Sequence, residues 1–273
     1  MRCMLIALFT VMSMAANAEV IEYSTDDGFK YKLDTEAKTA ELAKFSSSRK
    51  EVVIPENVTY NDVTYSVTSL GEWCFSYCFS LTSVTIPSSV TSLGDNCFYY
   101  CSSLTSIDIP SSVTSLGDEC FYYCSSLTSI DIPSSVTSLG GNCFTVCSSL
   151  TSIDIPSSVT SLGSYCFIYC SSLESITVDK NNKVYDSRDN CNAIIETSTN
   201  IMIQGCKTTV IPSSVTSLGS GCFSGCSSLT SIDIPSSVTS LGYVCFANCS
   251  SLTSIDIPPS VTSLGDYCFN NCN

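Results

Sequence analysis

Five aspartates at a constant spacing are the first residues of this sequence that could do chemistry. Each stands between two isoleucines: Asp108, Asp131, Asp154, Asp233 and Asp256. Stacked strands would bring neighbouring carboxylates to about 5 Å from one another, the separation that a retaining glycosidase uses. Acid–base catalysis needs two carboxylates in different environments, however, and five equivalent ones provide no such difference. We therefore expect no enzyme and no catalytic residue, with an extracellular polysaccharide-active enzyme as the alternative hypothesis.

The same aspartates could instead form a binding surface. Thr85 and Thr177 hold the equivalent position in two further repeats. Like charges one strand spacing apart repel one another, and a cation or a basic partner would relieve that repulsion. A row of carboxylates would equally well keep the protein soluble and prevent edge-to-edge pairing. Both interpretations remain open at the level of sequence.

Aromatic residues mark a second candidate binding surface. They stand at variable positions around an otherwise constant Cys-Phe motif: Trp73, Tyr77, Tyr99, Tyr100, Tyr122, Tyr123, Tyr165 and Tyr169. Exposed aromatic side chains on a rigid frame give a large contact area at a small loss of conformational entropy, which suits contacts with proteins or glycans. Later repeats have small or polar residues there. The alternative is that each ring is partly buried against neighbouring repeats and binds nothing.

The cysteines do not form a metal or redox motif. Sixteen of the nineteen belong to eight Cys-Phe-x-x-Cys segments, the first beginning at Cys74 and the last ending at Cys272. Zinc sites and dithiol redox centres use Cys-x-x-Cys or histidine, whereas here three residues separate the two cysteines and the chain has no histidine. We predict no metal and no cofactor, and we expect mostly buried, unpaired thiols. Disulfides between neighbouring repeats, such as Cys97 with Cys120, are the alternative.

A repeat of 23 residues positions all of these side chains. Residues 90–112 return almost unchanged in copies that begin at Val67, Val90, Val113, Val136, Val159, Val215, Val238 and Val261. A fixed period of this length indicates a solenoid in which each repeat is one coil. A single coil cannot bury its own apolar face, so neighbouring coils must cover it. The constant Val, Leu, Ile, Phe and Cys positions are therefore predicted to fill the core.

Each coil is predicted to contain three short elements. In LTSIDIP, the alternation of Ile107 and Ile109 with polar residues is typical of a half-buried strand, which Pro110 ends. VTSLG is a shorter extended arm that ends at a glycine suited to a turn. In DNCFYYC, the cysteines and the phenylalanine share one face of a single helical turn, which Asp95 can cap. The predicted fold is a β-rich solenoid with one strand, one extended arm and one helical turn per coil.

The pattern L-x-x-I-x-I-P-x-x-V-x-x-L-G-x-x-C-F-x-x-C extends over residues 67–273. It is similar to the BspA-like leucine-rich repeat of bacterial and protist surface proteins. It departs from that family by having Cys97 and its equivalents where alanine is usual. The resemblance implies a curved leucine-rich repeat solenoid that is exported and attaches to host or microbial macromolecules.

The first 18 residues have the features of a secretory signal peptide. Arg2 precedes an apolar run over residues 4–14, and the Ala-Asn-Ala motif at residues 16–18 is a cleavage site before Glu19. The run is too short to anchor the chain in a membrane, and no other segment is long enough. The mature chain is therefore predicted to be secreted or at the cell surface, without membrane insertion.

Residues 19–66 do not follow the repeat. Asp26, Asp27 and Gly28 lie between two alternating segments and predict a β-hairpin, and Asn61-Asp62 predicts a second one. The expected role of this region is an N-terminal β cap that covers the first open edge of the solenoid.

The copy that begins at Val159 is 33 residues longer than the others. NAIIET and NIMIQG flank Ser198-Thr199, which predicts a β-hairpin inserted at about 179–209. Insertions in repeat proteins often lie on the binding side, although a solvated, tolerated loop is equally consistent. Cys191 and Cys206 stand outside the repeated positions and could form a disulfide across the insertion.

The net charge of −14 argues against nucleic acids and anionic membranes as partners. The signal peptide, the solenoid and the family resemblance together predict an exported or cell-surface scaffold that binds extracellular proteins or glycans. A structural surface-layer spacer is a further alternative. It would be favoured by end-to-end self-association. The last coil stops at Asn273 without a polar cap, so either a partner covers that face or the sequence is a fragment.

Overall fold

Parallel stacking of short strands dominates the fold. The computed structural model describes residues 19–272, so that the predicted signal peptide lies outside the described residues. Within that range, no helix has the length and apolarity needed to cross a membrane. The elements are β1 (Val20–Ser24), β2 (Phe29–Asp34), β3 (Thr39–Phe45), β4 (Glu51–Val53), β5 (Asn57–Tyr60), β6 (Val63–Leu70), β7 (Ser83–Thr85), β8 (Ser92–Leu93), β9 (Ser115–Leu116), β10 (Ser138–Leu139), β11 (Ser152–Ile155), β12 (Ser161–Leu162), β13 (Ser175–Val178), β14 (Tyr185–Asp186), a 3-10 helix (Arg188–Asn190), β15 (Ala193–Glu196), β16 (Ile201–Gly205), β17 (Ser217–Leu218), β18 (Ser240–Leu241) and β19 (Ser263–Leu264).

The N-terminal strands build a sheet that continues into the solenoid. β1, β2 and β3 form an antiparallel meander, and β5 pairs with β6 in a second hairpin. β3 pairs with β6 in parallel, with Ala40 opposite Val67 and Leu42 opposite Leu70. Ala40 and Leu42 are buried like the valine and leucine of a repeat. β3 therefore takes the place of the coil that would precede the first repeat.

The Ser-Leu arms form a continuous ladder through the first five repeats. β6, β8, β9, β10 and β12 pair in parallel, with Leu93 opposite Leu116 at the centre of the ladder. The leucines are buried except Leu162, which is half-buried, and a glycine follows each of them. A Cβ on Gly117 would lie 2.5 Å from the backbone nitrogen of Asp95 in the preceding coil. Only a residue without a side chain allows the coils to approach this closely.

The segments predicted as the main strands pair in only part of the solenoid. β4 pairs with β7, β11 pairs with β13, and Thr85 forms a single bridge with Asp108. The described backbone shows no such pairing between Asp108 and Asp131, or between Asp131 and Asp154. Like charges that face each other across strands are destabilising, whereas the Thr177 hydroxyl donates a hydrogen bond to the Asp154 carboxylate. The strand predicted for every coil is therefore absent where two aspartates face each other.

The segment predicted as a helical turn folds instead as successive tight turns. The residue before each of its two cysteines has a left-handed backbone, as at Tyr100 with a φ of 58°, which a right-handed helix excludes. The N–H of Phe98 donates to the Cys120 carbonyl of the next coil at 2.8 Å. Asp95, the predicted helix cap, accepts a hydrogen bond from the Asp118 N–H of the next coil instead. The backbone bonds therefore run between coils rather than along a helix.

A column of stacked phenylalanines fills the centre of the solenoid. The ring centroids of Phe98 and Phe121 are 5.3 Å apart, and those of Phe121 and Phe144 are 5.4 Å apart, with interplanar angles of 4° and 2°. All three side chains are fully buried. The predicted solenoid, in which equivalent residues of adjacent coils share one core, is confirmed by this stack.

Two columns of cysteines run beside the phenylalanines. The second cysteine of six turns donates its thiol hydrogen to the preceding coil, as Cys101 Sγ does to the Phe75 carbonyl at 3.1 Å. The first cysteines lie beside those of adjacent coils, so that Cys74, after burial, raises the pKa of the Cys97 thiol. Every cysteine among residues 19–272 is a free thiol. The thiols therefore contribute directly to the contacts between coils.

The insertion divides the ladder of Ser-Leu arms into two sheets. The first sheet ends at β12, and the second begins with β14, β15 and β16. β16 then pairs in parallel with β17, so that Met202 lies opposite Leu218. Cys191 and Cys206, a predicted candidate disulfide, do not pair, because they belong to different clusters of the core and both are free.

Candidate binding surface

Two positions in each turn direct variable side chains away from the core. They are the residues before the first and before the second cysteine, and both have a left-handed backbone. In this conformation the backbone N–H still bonds to the next coil, as Tyr100 N–H does with the Tyr122 carbonyl at 2.8 Å. The predicted site residues Trp73, Tyr77 and Tyr123 occupy such positions, with φ of 59°, 60° and 60°.

The aromatic side chains of the first three turns join into one surface. Tyr100 and Tyr123 stack face to face with ring centroids 4.3 Å apart. Trp73 packs edge-on against Tyr99 at 5.2 Å. Similar contacts join seven residues, which we call the aromatic patch: Trp73, Tyr77, Phe79, Tyr99, Tyr100, Tyr122 and Tyr123.

The aromatic patch has an exposed outer layer and a half-buried inner layer. Tyr77 is 52% exposed and Phe79 is 54% exposed. Burial raises the pKa of Tyr99 and Tyr122, and neighbouring tyrosines and the Glu119 carboxylate raise it further. The two predicted interpretations, exposure and partial burial, thus apply to different residues of the same surface. The half-buried rings of Tyr99 and Tyr122 pack against the exposed rings and hold them in place.

Phe79 belongs to the aromatic patch although the sequence analysis did not select it. Its ring centroid lies 5.9 Å from that of Tyr77. The next six turns have serine at this position, as at Ser102. A single change in an otherwise constant Cys-Ser-Ser-Leu motif is the signal that could have identified it.

Tyr165 and Tyr169 lie outside the aromatic patch. Thr145 and Val146 occupy the turn between them and Tyr123. The Tyr169 hydroxyl accepts a hydrogen bond from the Asn248 amide at 2.9 Å. This contact joins the fifth repeat to the seventh. Tyr169 therefore packs across the insertion rather than extending the aromatic patch.

The five predicted aspartates lie on the LTSIDIP segments, apart from the turns that carry the aromatic patch. All five are exposed. Asp131 and Asp154 line an open groove of about 510 Å³ together with Thr177 and Asp179. Asp154 differs from the other four in accepting a hydrogen bond from the Thr177 hydroxyl.

The buried thiols do not have the features of reactive cysteines. No group of three or more metal-binding side chains within residues 19–272 could hold a metal ion. Burial raises the pKa of Cys97, Cys120 and Cys124 well above that of a free thiol. Nucleophilic and redox-active cysteines need the opposite, an exposed thiol with a lowered pKa. The cysteines are therefore structural.

One family model matches most of the chain. It is the BspA type leucine rich repeat region, found in six copies over residues 68–194 and 198–273. A search among curated proteins finds no match.

Several solved structures are similar to this chain. A leucine-rich repeat protein from Bacteroides ovatus is 30% identical with a TM-score of 0.64, over 92% of this chain and 57% of that protein. A leucine-rich repeat protein from Eubacterium ventriosum is 27% identical with a TM-score of 0.70, over 93% of this chain and 70% of that one. A leucine rich cell surface protein from Faecalibacterium prausnitzii is 27% identical with a TM-score of 0.54, over 92% and 86% of the two chains. The chain thus spans less than two thirds of the Bacteroides ovatus protein.

Proposed function

The chain belongs to the BspA type leucine-rich repeat family, and we propose that it is an exported or cell-surface scaffold that binds extracellular proteins or glycans through the aromatic patch. Solenoids of this family are typically scaffolds rather than enzymes. The signal-peptide features of residues 1–18 support export. The description of the Faecalibacterium prausnitzii relative as a cell surface protein supports the same location.

The backbone conformation of the aromatic patch is the observation that carries the proposal. A left-handed residue with a Cβ costs roughly 1–2 kcal/mol relative to the right-handed form. Before the second cysteine, Tyr77, Tyr100 and Tyr123 all have this conformation, whereas the last three copies have glycine or asparagine there, as at Gly225. The early coils therefore carry bulky side chains where folding favours small ones. Strain of this kind is typical of positions that serve binding.

The stacking of the rings supports the same role. Aromatic side chains have few rotatable bonds, and those of the aromatic patch are held further by contacts with their neighbours, as Tyr100 is by Tyr123. A partner would therefore cause little additional loss of side-chain entropy on binding. The hydroxyl groups at the ring tips can donate to and accept from a polar partner while the rings provide apolar contact.

The alternatives differ in what they require. A polysaccharide-active enzyme requires one distinctive carboxylate pair, and replacing Asp131 and Asp154 together with asparagine would remove the best candidate pair in the groove. A surface-layer spacer requires end-to-end self-association, which stays a prediction and can be measured by light scattering at increasing protein concentration.

The test of the proposed function is a binding screen of the mature chain against extracellular matrix proteins and glycans. Each hit is then titrated with a variant in which Tyr77, Tyr100 and Tyr123 are all replaced by asparagine, a residue that tolerates the left-handed backbone. We expect at least tenfold weaker binding without loss of folding. The matched control is Tyr243→Asn, which removes a tyrosine that is 45% exposed but lies outside the aromatic patch.

Two results would count against the proposal. If the intact chain binds nothing in the screen, the adhesive role is not supported. If the triple variant binds as tightly as the unmodified chain, the aromatic patch is not the contact surface.

A further inference from the structure

Charged residues are distributed unevenly along the chain. After residue 18, every Lys and Arg lies either within residues 30–50 of the cap or within residues 180–207 of the insertion. Residues 51–179, which contain the whole aromatic patch, have twelve Asp and Glu and no basic residue. The repeats before the insertion therefore carry charge of one sign, and a negative surface of this kind attracts partners of positive charge.

A carboxylate is bonded to the tryptophan of the aromatic patch. Trp73 Nε1–H donates to Glu72 Oε1 at 2.8 Å, and both side chains are exposed. This bond uses the single donor of the indole, which could otherwise bind a hydroxyl group of a glycan. An ionised carboxylate has about four acceptor sites, so Glu72 can still accept from a partner. This end of the aromatic patch thus combines an aromatic ring with an acceptor.

A second carboxylate lies near the inner rings. Glu119 stands in the third turn at the position that Trp73 has in the first, and its backbone is also left-handed, with a φ of 55°. The residue is half-buried. Burial raises the pKa of Tyr99 and Tyr122, and the negative charge of Glu119 raises it further. Each ion pair within residues 19–272 involves a cation of the cap or of the insertion, so Glu119 has no such partner.

The basic side chains of the cap come near only the first turn. Burial raises the pKa of Cys78, and the positive charge of Lys44 lowers it by a smaller amount. Lys32 is already paired with Glu41, its Nζ lying 2.9 Å from Oε1. The second and third turns are therefore the part of the aromatic patch that is most favourable for a positive charge.

We propose that the partner of the aromatic patch is a basic segment of an extracellular protein, whose arginine side chains stack on the exposed rings and pair with Glu72 and Glu119. This inference rests on the proposed function and names the class of partner. A guanidinium group is planar and weakly hydrated, and it can stack on an aromatic ring while its N–H groups bind a carboxylate. The exposed rings of Tyr77 and Phe79 and the two carboxylates provide both contacts. A neutral glycan would contact the rings but leave the carboxylates without a counter-charge.

The probe is an acetylated and amidated peptide with three arginines separated by single glycines, titrated into the mature chain by calorimetry at low salt. We expect half-saturation at or below about 1 mM. The same peptide with citrulline in place of arginine keeps the shape of the side chain but is neutral, and it should bind at least tenfold more weakly. Raising the salt to about 0.5 M should weaken binding of the arginine peptide, because salt screens exposed charges. The triple asparagine variant, which removes three rings, should bind the arginine peptide at least tenfold more weakly.

Replacing Glu72 and Glu119 together with glutamine tests the role of the carboxylates. Glutamine keeps the length of each side chain, and its oxygen can still accept the Trp73 N–H. We expect this double variant to bind the arginine peptide about three- to tenfold more weakly. The matched control is Asp62→Asn with Asp266→Asn, which removes two negative charges from exposed side chains of the cap and the last repeat. Its binding should stay within twofold of that of the unmodified chain.

Four results would overturn the inference. They are no saturation with the arginine peptide, equal binding of the arginine and citrulline peptides, unchanged binding by the folded glutamine variant, and unchanged binding by the folded triple asparagine variant. The proposed function can be judged separately. A neutral glycan that binds the unmodified chain and is lost in the triple asparagine variant would support the proposed function, and failure of the arginine peptide beside it would contradict only the basic partner.

Discussion

The hydroxyl of Thr177 donates a hydrogen bond to the carboxylate of Asp154 in the preceding coil. Around this contact, β11 and β13 pair over four residues. Asp108 and Asp131 face each other at the equivalent place two coils earlier, and the described backbone is not paired there. Threonine opposite aspartate thus accompanies pairing on this side of the coils, whereas aspartate opposite aspartate does not.

Replacing Asp131 with threonine is expected to stabilise the solenoid by about 0.5–1 kcal/mol. The change converts two repulsive contacts, with Asp108 and with Asp154, into contacts of the favourable type. Urea unfolding measures the difference. Asp131→Asn removes the charge without adding a β-branched side chain, and its smaller gain should disappear at high salt because salt already screens the repulsion. Equal stability of all three proteins would contradict the explanation.

Val146 is expected to destabilise the turn in which it lies. It has a φ of 61°, a conformation in which a β-branched residue is an outlier. Val146→Asn should raise the free energy of unfolding by about 1 kcal/mol. Val210→Asn is the matched control, because Val210 is 73% exposed and is not among the left-handed residues. A loss of stability in Val146→Asn would show that the packing of this valine outweighs its strain.

Replacing two glycines next to the Ser-Leu ladder with alanine should change the stability to very different extents. The Cβ of Gly117→Ala would meet the Asp95 backbone at 2.5 Å, and overpacking of this kind typically costs about 1–3 kcal/mol. The Cβ of Gly141→Ala would have its nearest neighbour at 3.6 Å, so we expect a change within about 0.5 kcal/mol. Thermal unfolding of the two variants side by side measures the difference. Similar melting temperatures would argue that the coils can separate to accept a side chain.

The cysteine columns should make the fold sensitive to alkaline pH. Burial raises the pKa of Cys78 from 9.0 to about 11 and that of Cys249 to about 12. A pKa that is higher in the folded than in the unfolded state stabilises the protein fully below pH 9, and this contribution is lost as the pH rises through the folded value. We expect the melting temperature, measured with reductant present, to fall between pH 9 and 11.

A double variant isolates the thiols from the tyrosines, which titrate in the same range. Cys78→Ser with Cys249→Ser removes two of the titrating groups, and a serine hydroxyl can still donate to the Phe223 carbonyl as the Cys249 thiol does. The decline of the melting temperature should be shallower in this variant. Identical slopes would assign the alkaline loss to other groups.

The core could be predicted from the sequence because the copies of the repeat can be compared with one another. Phe98 and its equivalents do not vary between copies, and an unvarying apolar residue in a stacked array must face its neighbours. The predicted helical turn was wrong because the spacing of Cys97, Phe98 and Cys101 fits two tight turns as well as one helical turn. Glycine or asparagine before the second cysteine of later copies, as at Gly225, was the available signal for a left-handed backbone.

The way in which the insertion ends one sheet at β12 and begins the next could not be predicted from sequence. The inserted hairpin was expected, but whether it extends the fifth repeat or replaces the partner of the sixth depends on the path of the chain. The missing strand at Val210 could not be predicted either. Val210 lies opposite Asp233, but the two segments do not pair. Its N–H bonds instead to the Cys191 carbonyl in the insertion at 3.1 Å.

The buried side chains form two clusters, and the boundary between them passes through the insertion, with Ile194 in the first cluster and Ile195 in the second. In a linear array, cooperativity passes from each unit to the next through their interface. Here the fifth and sixth repeats have lost both their sheet pairing and their ring stacking. We therefore expect the molecule to unfold as two foldons in series. Force applied along the long axis should break it first at this plane, leaving the N-terminal half intact.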